Sequence, residues 1–427
     1  MSAIEDHPLR YELANELHAR PFPPLEAPSR AVYLAIKQPE NAAARDRDLD
    51  RAHLINLLDR FGATHPKPGA THWFGEIGRY TLKWESHTEF VTYTAFRNGN
   101  GDTPFDARAF EVFPEDWLAD APGVRVTSAS IRVEAWDGKA DVSEKLDEWF
   151  VPESLAASTV LDGTAVMAGD FRIDPAGHMR FALFVKPDMG TRRIGRIVQR
   201  LCEIETYKSM SMLGLARVRT IGPAMSRLDQ RLTTLMGEMT GDTAEADDTL
   251  TALLEISSEL ENLSARSSFR FAATTAYNAL VTQRVTVLRE ERYQGRQTFA
   301  EFMMRRFDPA MRTVTAGEER LKTMSERATR AANLLRTRVD VERSAQNQKL
   351  LESMDERAGL QLRLQRTVEG LSVVAISYYA VNLALYVLGP VGKAVEVSGV
   401  VLTALVTPLV VFGVWALVRR IRRDLEK

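Results

Sequence analysis

The chain has 427 residues, room for two or three domains, with 45% hydrophobic and 26% charged residues. Its formal net charge of −2 provides no basic excess to neutralise phosphates, which argues against nucleic acid as a partner. A lone cysteine, Cys202, excludes an internal disulfide framework and a multi-thiolate metal site.

The first residues, from Met1 to Pro8, carry neither a basic n-region nor an apolar h-region, so the expectation is that the long N-terminal part stays in the cytoplasm. Residues 1–187 mix strand and helix signals. Strands are expected at 31–37, 71–78, 80–85, 89–96 and 124–136, where β-branched and aromatic residues alternate or cluster. Residues 165–173 and 178–185 read as a hairpin across Asp174-Pro-Ala-Gly177, and helices are expected over 8–20, 41–61 and 139–150. Seven histidines occur, but no HExxH, paired metal spacing or GxSxG. The turn Gly99-Asn-Gly-Asp is followed by no GK[ST], so it is not a phosphate loop. Two spots remain: His18 and Arg20 near Glu12 and Glu16, as a polar network or a ligand site, and His72, Trp73 and Trp84, as sheet packing or a binding face.

Residues 188–308 read as antiparallel long helices. Ile194, Ile197, Leu201, Ile204, Met212 and Leu215 form an apolar stripe, with Pro223 as a kink site. The acidic turn at 241–248 joins two helices. Its Asp242, Glu245, Asp247 and Asp248 read as a solvated connection or as a weak cation site, lacking the glycine and distal glutamate of a calcium loop. A second long helix is expected to run to about Tyr293.

Asp308-Pro309 opens a long stalk helix, 309–367, rich in strong helix formers; continued to Leu388 it reaches on the order of 120 Å. Leu321, Met324, Ala328, Ala331 and Leu335 follow 3-4 spacing, resumed by Leu350, Met354, Ala358 (or Gln361), Leu364, Val368 and Leu371. This predicts packing on one face by neighbouring helices or sister subunits.

The runs 368–388 and 397–418 hold one charge, Glu369, and none, and each is about the ~20 residues that cross a bilayer. They predict two transmembrane helices joined by an external loop, 389–396. Arg357, Arg363 and Arg366 precede the first, and a basic tail, 419–427, follows the second. Only Lys393, beside Glu396, is basic between them, so both ends are expected in the cytoplasm. Within the first span Ser372, Tyr378, Tyr379, Asn382 and Tyr386 share about one third of the circumference. Such a polar stripe faces protein or water rather than lipid, as a pore lining in an oligomer or as a helix–helix contact.

The fold class is therefore an α+β cytoplasmic domain followed by long antiparallel, coiled-coil-like helices and a C-terminal two-helix transmembrane hairpin. The segments HPLRYELANELHARPFPPLEAP at 7–28, GRIVQRLCEIETYKSMSMLGL at 195–215 and LLRTRVDVERSAQNQ at 334–348 resemble an uncharacterised bacterial family of predicted membrane-anchored proteins. This implies the bacterial inner membrane and no assigned activity. The architecture is also similar to the CorA-type divalent-cation transporters, which implies a homo-oligomer whose first span lines a pore for a divalent cation. Tyr386-Val-Leu-Gly-Pro-Val391 stands where that family carries Gly-Met-Asn, so the ion-meeting asparagine has no counterpart. The expected functions are ion transport or, alternatively, a membrane-tethered scaffold or sensor. No nucleophile, metal set or phosphate loop supports an enzyme.

Overall fold

Alternating side chains build the N-terminal half. The computed structural model describes residues 4–16, 23–239, 246–394 and 398–425. Nine strands form one mixed sheet: β1 (Ser29–Lys37), β2 (His72–Ile77), β3 (Tyr80–Ser86), β4 (Phe90–Asn98), β5 (Val124–Ala135), β6 (Ala156–Val160), β7 (Ala165–Gly169), β8 (Met179–Val185) and β9 (Glu291–Arg292). Their order is β2-β3-β4-β1-β5-β8-β7-β6-β9. Only the β5–β8 pair is parallel among the described pairings. The expected β7–β8 hairpin is present, with Gly177 N donating to Asp174 O across its turn.

Helix α1 (Arg10–Glu16) comes first, its described side chains exposed. Short helices cover one face, namely α2 (Arg47–Arg60), α3 (Glu115–Ala119) and α4 (Ser143–Trp149), with 3-10 turns at Ala42–Ala44 and Ala107–Val112. There Val32, Leu34, Leu82, Trp84 and Tyr93 pack with Leu54, Leu58 and Trp117 into one core. Trp136, Leu146, Trp149, Val166 and Phe184 make a second. Trp73 lies opposite Trp84 in the β2–β3 ladder, and both are buried, so the pair serves sheet packing.

The long helices follow. α5 (Thr191–Glu238) continues through Pro223, and α6 (Ala246–Thr286) stops short of Tyr293. Arg289 takes a left-handed conformation, and the chain then lays β9 against β6 at the sheet edge. Tyr293 enters the second core. Close approach is built in at two glycines. A Cβ on Gly214 of α5 would meet Thr274 Oγ1 of α6 at 2.3 Å. α7 (Phe299–Arg306) opens on a capping box between Thr298 and Glu301, and α8 (Asp308–Ala394) follows. A Cβ on Gly317 of α8 would meet Val218 of α5 at 2.8 Å. Asp229 of α5 pairs with Arg320 and Arg327 of α8 at 3.0 and 3.2 Å.

Two compact units result: Met1–Gly241 with Thr251–Ala331, and Asp242–Leu250 with Ala332–Lys427. The sheet, the bulk of α5 and α6 and the start of α8 thus share the first unit. In the second, α8 runs on through Pro390 to Ala394, beyond the expected end at Leu388, and α9 (Gly399–Leu425) completes the chain. The chain is thus a mixed-sheet domain followed by long helices and an apolar C-terminal helix.

Candidate functional site

Two helical segments are long and apolar enough to cross a membrane, one ending at Val391 and one spanning Gly399–Ile421. Only 6% of each apolar window is buried. A core helix of a soluble protein would be mostly covered; these two are not.

Each hides one narrow face. On α8, Ser377 is buried, and Val373, Ala380, Val381, Ala384 and Leu385 are half-buried beside it. On α9, Val406 is buried, and Leu402, Val410, Val414 and Val418 recur at every fourth residue. The predicted stripe points the other way. At 100° per residue its centre lies roughly opposite the hidden face of α8. Tyr378, Tyr379 and Tyr386 are 67%, 72% and 83% exposed. Asn382 is half-buried and donates to the Tyr378 carbonyl at 3.0 Å, and the exposed Ser372 donates to the Val368 carbonyl at 2.8 Å. The stripe is therefore assembled on one side of the helix but is not a contact within the chain.

Asp242 and Glu245 lie outside the described residues, as does the Asp247 side chain, and Asp248 is exposed on α6. His18 and Arg20, with the Glu12 and Glu16 side chains, also lie outside them. Among the described residues no group of three or more His, Cys, Asp or Glu is placed to hold a metal ion.

Two cavities in the first unit were not foreseen. One, of about 310 Å³, lies between α5 and the sheet face opposite the first core. Tyr33, Lys83, Glu85, Thr92 and Thr94 point into it from β1, β3 and β4. Lys83 Nζ lies 3.2 Å from Glu85 Oε1 and donates to Gln199 Oε1 at 2.8 Å. Gln199 Nε2 donates to Glu203 Oε1 at 2.9 Å, and Glu203 also accepts from Arg284 Nε. Tyr33 and Thr206 share a hydrogen bond between their hydroxyls. The signal was in the sequence: β3 and β4 alternate Leu82, Trp84, Tyr93 and Ala95 with Lys83, Glu85, Thr92 and Thr94. Alternation of that kind ordinarily marks a face open to water; here α5 covers it.

The second cavity, about 430 Å³, is apolar and lies on the other face, lined by Leu34, Ile36, Phe110, Phe113, Arg125 and His178. His178 stacks on Phe110 with ring centres 3.5 Å apart, and its Nδ1 is 2.8 Å from Ser128 Oγ. Burial, then the neighbouring Arg125 charge, pushes its pKa from 6.5 down to about 4. The folded ring is thus neutral, while the unfolded chain takes up the proton as soon as pH falls below about 6.5. Protons therefore favour unfolding between pH 6.5 and about 4. Stability is expected to fall across that window, by at most about 3 kcal/mol from this residue. In His178→Gln that portion is absent, whereas His53, likewise depressed by burial, keeps a dependence of the same sign. Urea unfolding at pH 7 and pH 5 measures the difference.

No curated protein matches the chain. Residues 5–425 match the model of the family described as protein of unknown function (DUF3422). That match takes in the sheet domain, the long helices and the apolar C-terminal helices alike, and the chain accordingly belongs to the DUF3422 family.

Proposed function

We propose that the chain is a two-span protein of the bacterial inner membrane that self-associates along α8, holding its sheet domain at the cytoplasmic surface. One observation carries this reading. Leu350, Met354, Leu364, Val368 and Leu371 fall on the same third of the α8 circumference as Ser372, Tyr378, Tyr379, Asn382 and Tyr386. From Leu350 to Leu371, into the first turn of the span, that face carries Leu350, Met354, Leu360, Leu364, Val368 and Leu371, interrupted by Ser353, Arg357 and Gln361; from Ser372 on it turns polar. Water and lipid would each select the reverse. A face apolar in water and polar in lipid is one that meets protein along its whole length. A parallel second copy supplies the complement, apolar opposite apolar and hydroxyl opposite hydroxyl. The chain leaves this face open, with Leu350 and Leu364 60% and 67% exposed.

The hidden faces of α8 and α9 support a hairpin, and Arg363, Arg366, Arg419 and Arg420 support cytoplasmic ends by the positive-inside rule. Cysteines placed singly at Met354 and Tyr379 are expected to cross-link between copies in native membranes, while one at Leu362, off the face, is not. Cys202 is buried and its thiol pKa is pushed well up, so it stays silent. Absence of cross-links at both on-face positions counts against the proposal.

The second reading is conduction of a divalent cation along the hydroxyl and amide face at the centre of the assembly, as in CorA-type transporters. The stripe favours it; the missing Gly-Met-Asn speaks against it. Magnesium flux into proteoliposomes, lost in Asn382→Leu, is its expected signature. Equal flux in empty liposomes leaves the tether as the function.

A further inference from the structure

We infer that the cavity under α5 is a binding site for a small monocarboxylate. The inference goes beyond membrane anchoring and self-association and does not rest on either. A sheet face covered by helices ordinarily buries apolar side chains. This one buries Lys83, Thr92 and Thr94 at 5%, 4% and 6% exposure, and the described residues do not fill the space beside them. Buried polar groups without a purpose are costly, and a volume of about 310 Å³ stands at the small end of ligand pockets.

Charge then selects the occupant. Lys83 is matched by Glu85, and Arg284 by Glu203. Among the described residues Arg200, the third cation of the lining, makes no ion pair; its hydrogen bond goes to the Val287 carbonyl at 3.4 Å. Burial and the neighbouring Arg196 and Arg284 depress its pKa, and the nearby Glu203 opposes that only in part. Three cations against two carboxylates leave the lining at a net +1. A divalent cation would meet that excess. A phosphate dianion would carry one charge too many and face both glutamates. One carboxylate balances the site, in the bidentate geometry a guanidinium favours. Thr92, Thr94, Tyr33 and Thr206 supply hydroxyls for the rest of the molecule, and the stacked rings of His87 and Phe90, 4.5 Å apart, supply an apolar wall.

The test uses the full chain in detergent micelles with lactate, benzoate and 4-hydroxybenzoate, each against its amide, and with inorganic phosphate and magnesium as controls. At least one monocarboxylate is expected to raise the unfolding midpoint saturably and to bind by calorimetry, its amide not. Arg200→Gln is expected to weaken that binding by about tenfold or more. Thr94→Phe, which fills the space without touching a charge, is expected to abolish binding while the protein still melts cooperatively. The inference is overturned if none of the three acids acts at about 20 mM, if an amide binds as well as its acid, if affinity is unchanged in Arg200→Gln, or if binding survives in Thr94→Phe.

Discussion

Replacing Arg45 by alanine is expected to lower the stability of the sheet domain by about 3–5 kcal/mol, the cost of breaking a buried ion pair from one side. The Arg45 side chain is 1% exposed and Asp50 beside it 3%, with Nε to Oδ2 at 2.7 Å. Its remaining N–H groups donate to the carbonyls of Ala42, His87, Thr88 and Phe90 and to Ser86 Oγ. One guanidinium thus ties the start of α2 to the turn between β3 and β4. Removing it orphans a buried carboxylate and several carbonyls at once. Burial already raises the Asp50 pKa, and Arg45 is the main force opposing that rise. In Arg45→Ala the carboxyl rises further, so the deficit is smaller near pH 4 than at pH 7. Asp50→Asn in the same background recovers part of the loss, and Arg45→Lys recovers little, because an ammonium cannot fan out to so many acceptors. Urea unfolding of wild type, Arg45→Ala, Asp50→Asn and the double variant, read as a double-mutant cycle with Arg45→Lys alongside, measures these terms. Equal stability of wild type and Arg45→Ala contradicts the account of this network.

The second large effect concerns assembly. Leu350→Glu with Leu364→Glu is expected to convert the protein to single copies. Each leucine contributes about 1.5–3 kcal/mol when fully buried between helices, and each glutamate brings a like charge against its counterpart on the sister chain. With two positions on each chain the penalty exceeds several kcal/mol, enough to shift a micromolar association beyond reach. Leu351→Glu with Leu362→Glu is the matched control. Both residues are exposed leucines of the same helix, but they lie off the shared face. Within the span, Tyr378→Leu with Asn382→Leu removes hydrogen-bonding groups worth about 0.6–2 kcal/mol apiece in lipid and weakens assembly less steeply. Size-exclusion profiles of the three double variants rank the effects, and equal loss in the on-face and off-face leucine pairs contradicts the seam.

Much of the fold was legible because local pattern and tertiary role agree. β1, β4 and β5 are long β-branched and aromatic runs, and the apolar spacing of Leu321, Met324, Ala328 and Ala331 is the buried face of α8. β6 escaped because Ala156-Ala-Ser-Thr-Val160 is short and opens on three small residues, only Thr159 and Val160 being β-branched. β9 has two residues and exists only because β6 offers it an edge. The first apolar helix is expected to end at Leu388 with its hydrophobic run, yet it continues through Gly389-Pro390 to Ala394. Proline removes one hydrogen bond without ending a helix. The stripe was visible by arithmetic alone, but its direction was not. Which face α9 leaves open depends on packing between two segments, and single-helix periodicity does not encode it. The cavity was missed for a related reason: an alternating strand states that one face is polar, not whether a helix will later cover it.

The most direct measurement is the mass of the wild-type protein in detergent micelles, determined by light scattering with the detergent contribution removed. The account predicts an integral multiple of 47.9 kDa, two or more copies, at micromolar protein. A mass of one copy, unchanged in the Leu350→Glu with Leu364→Glu protein, contradicts it.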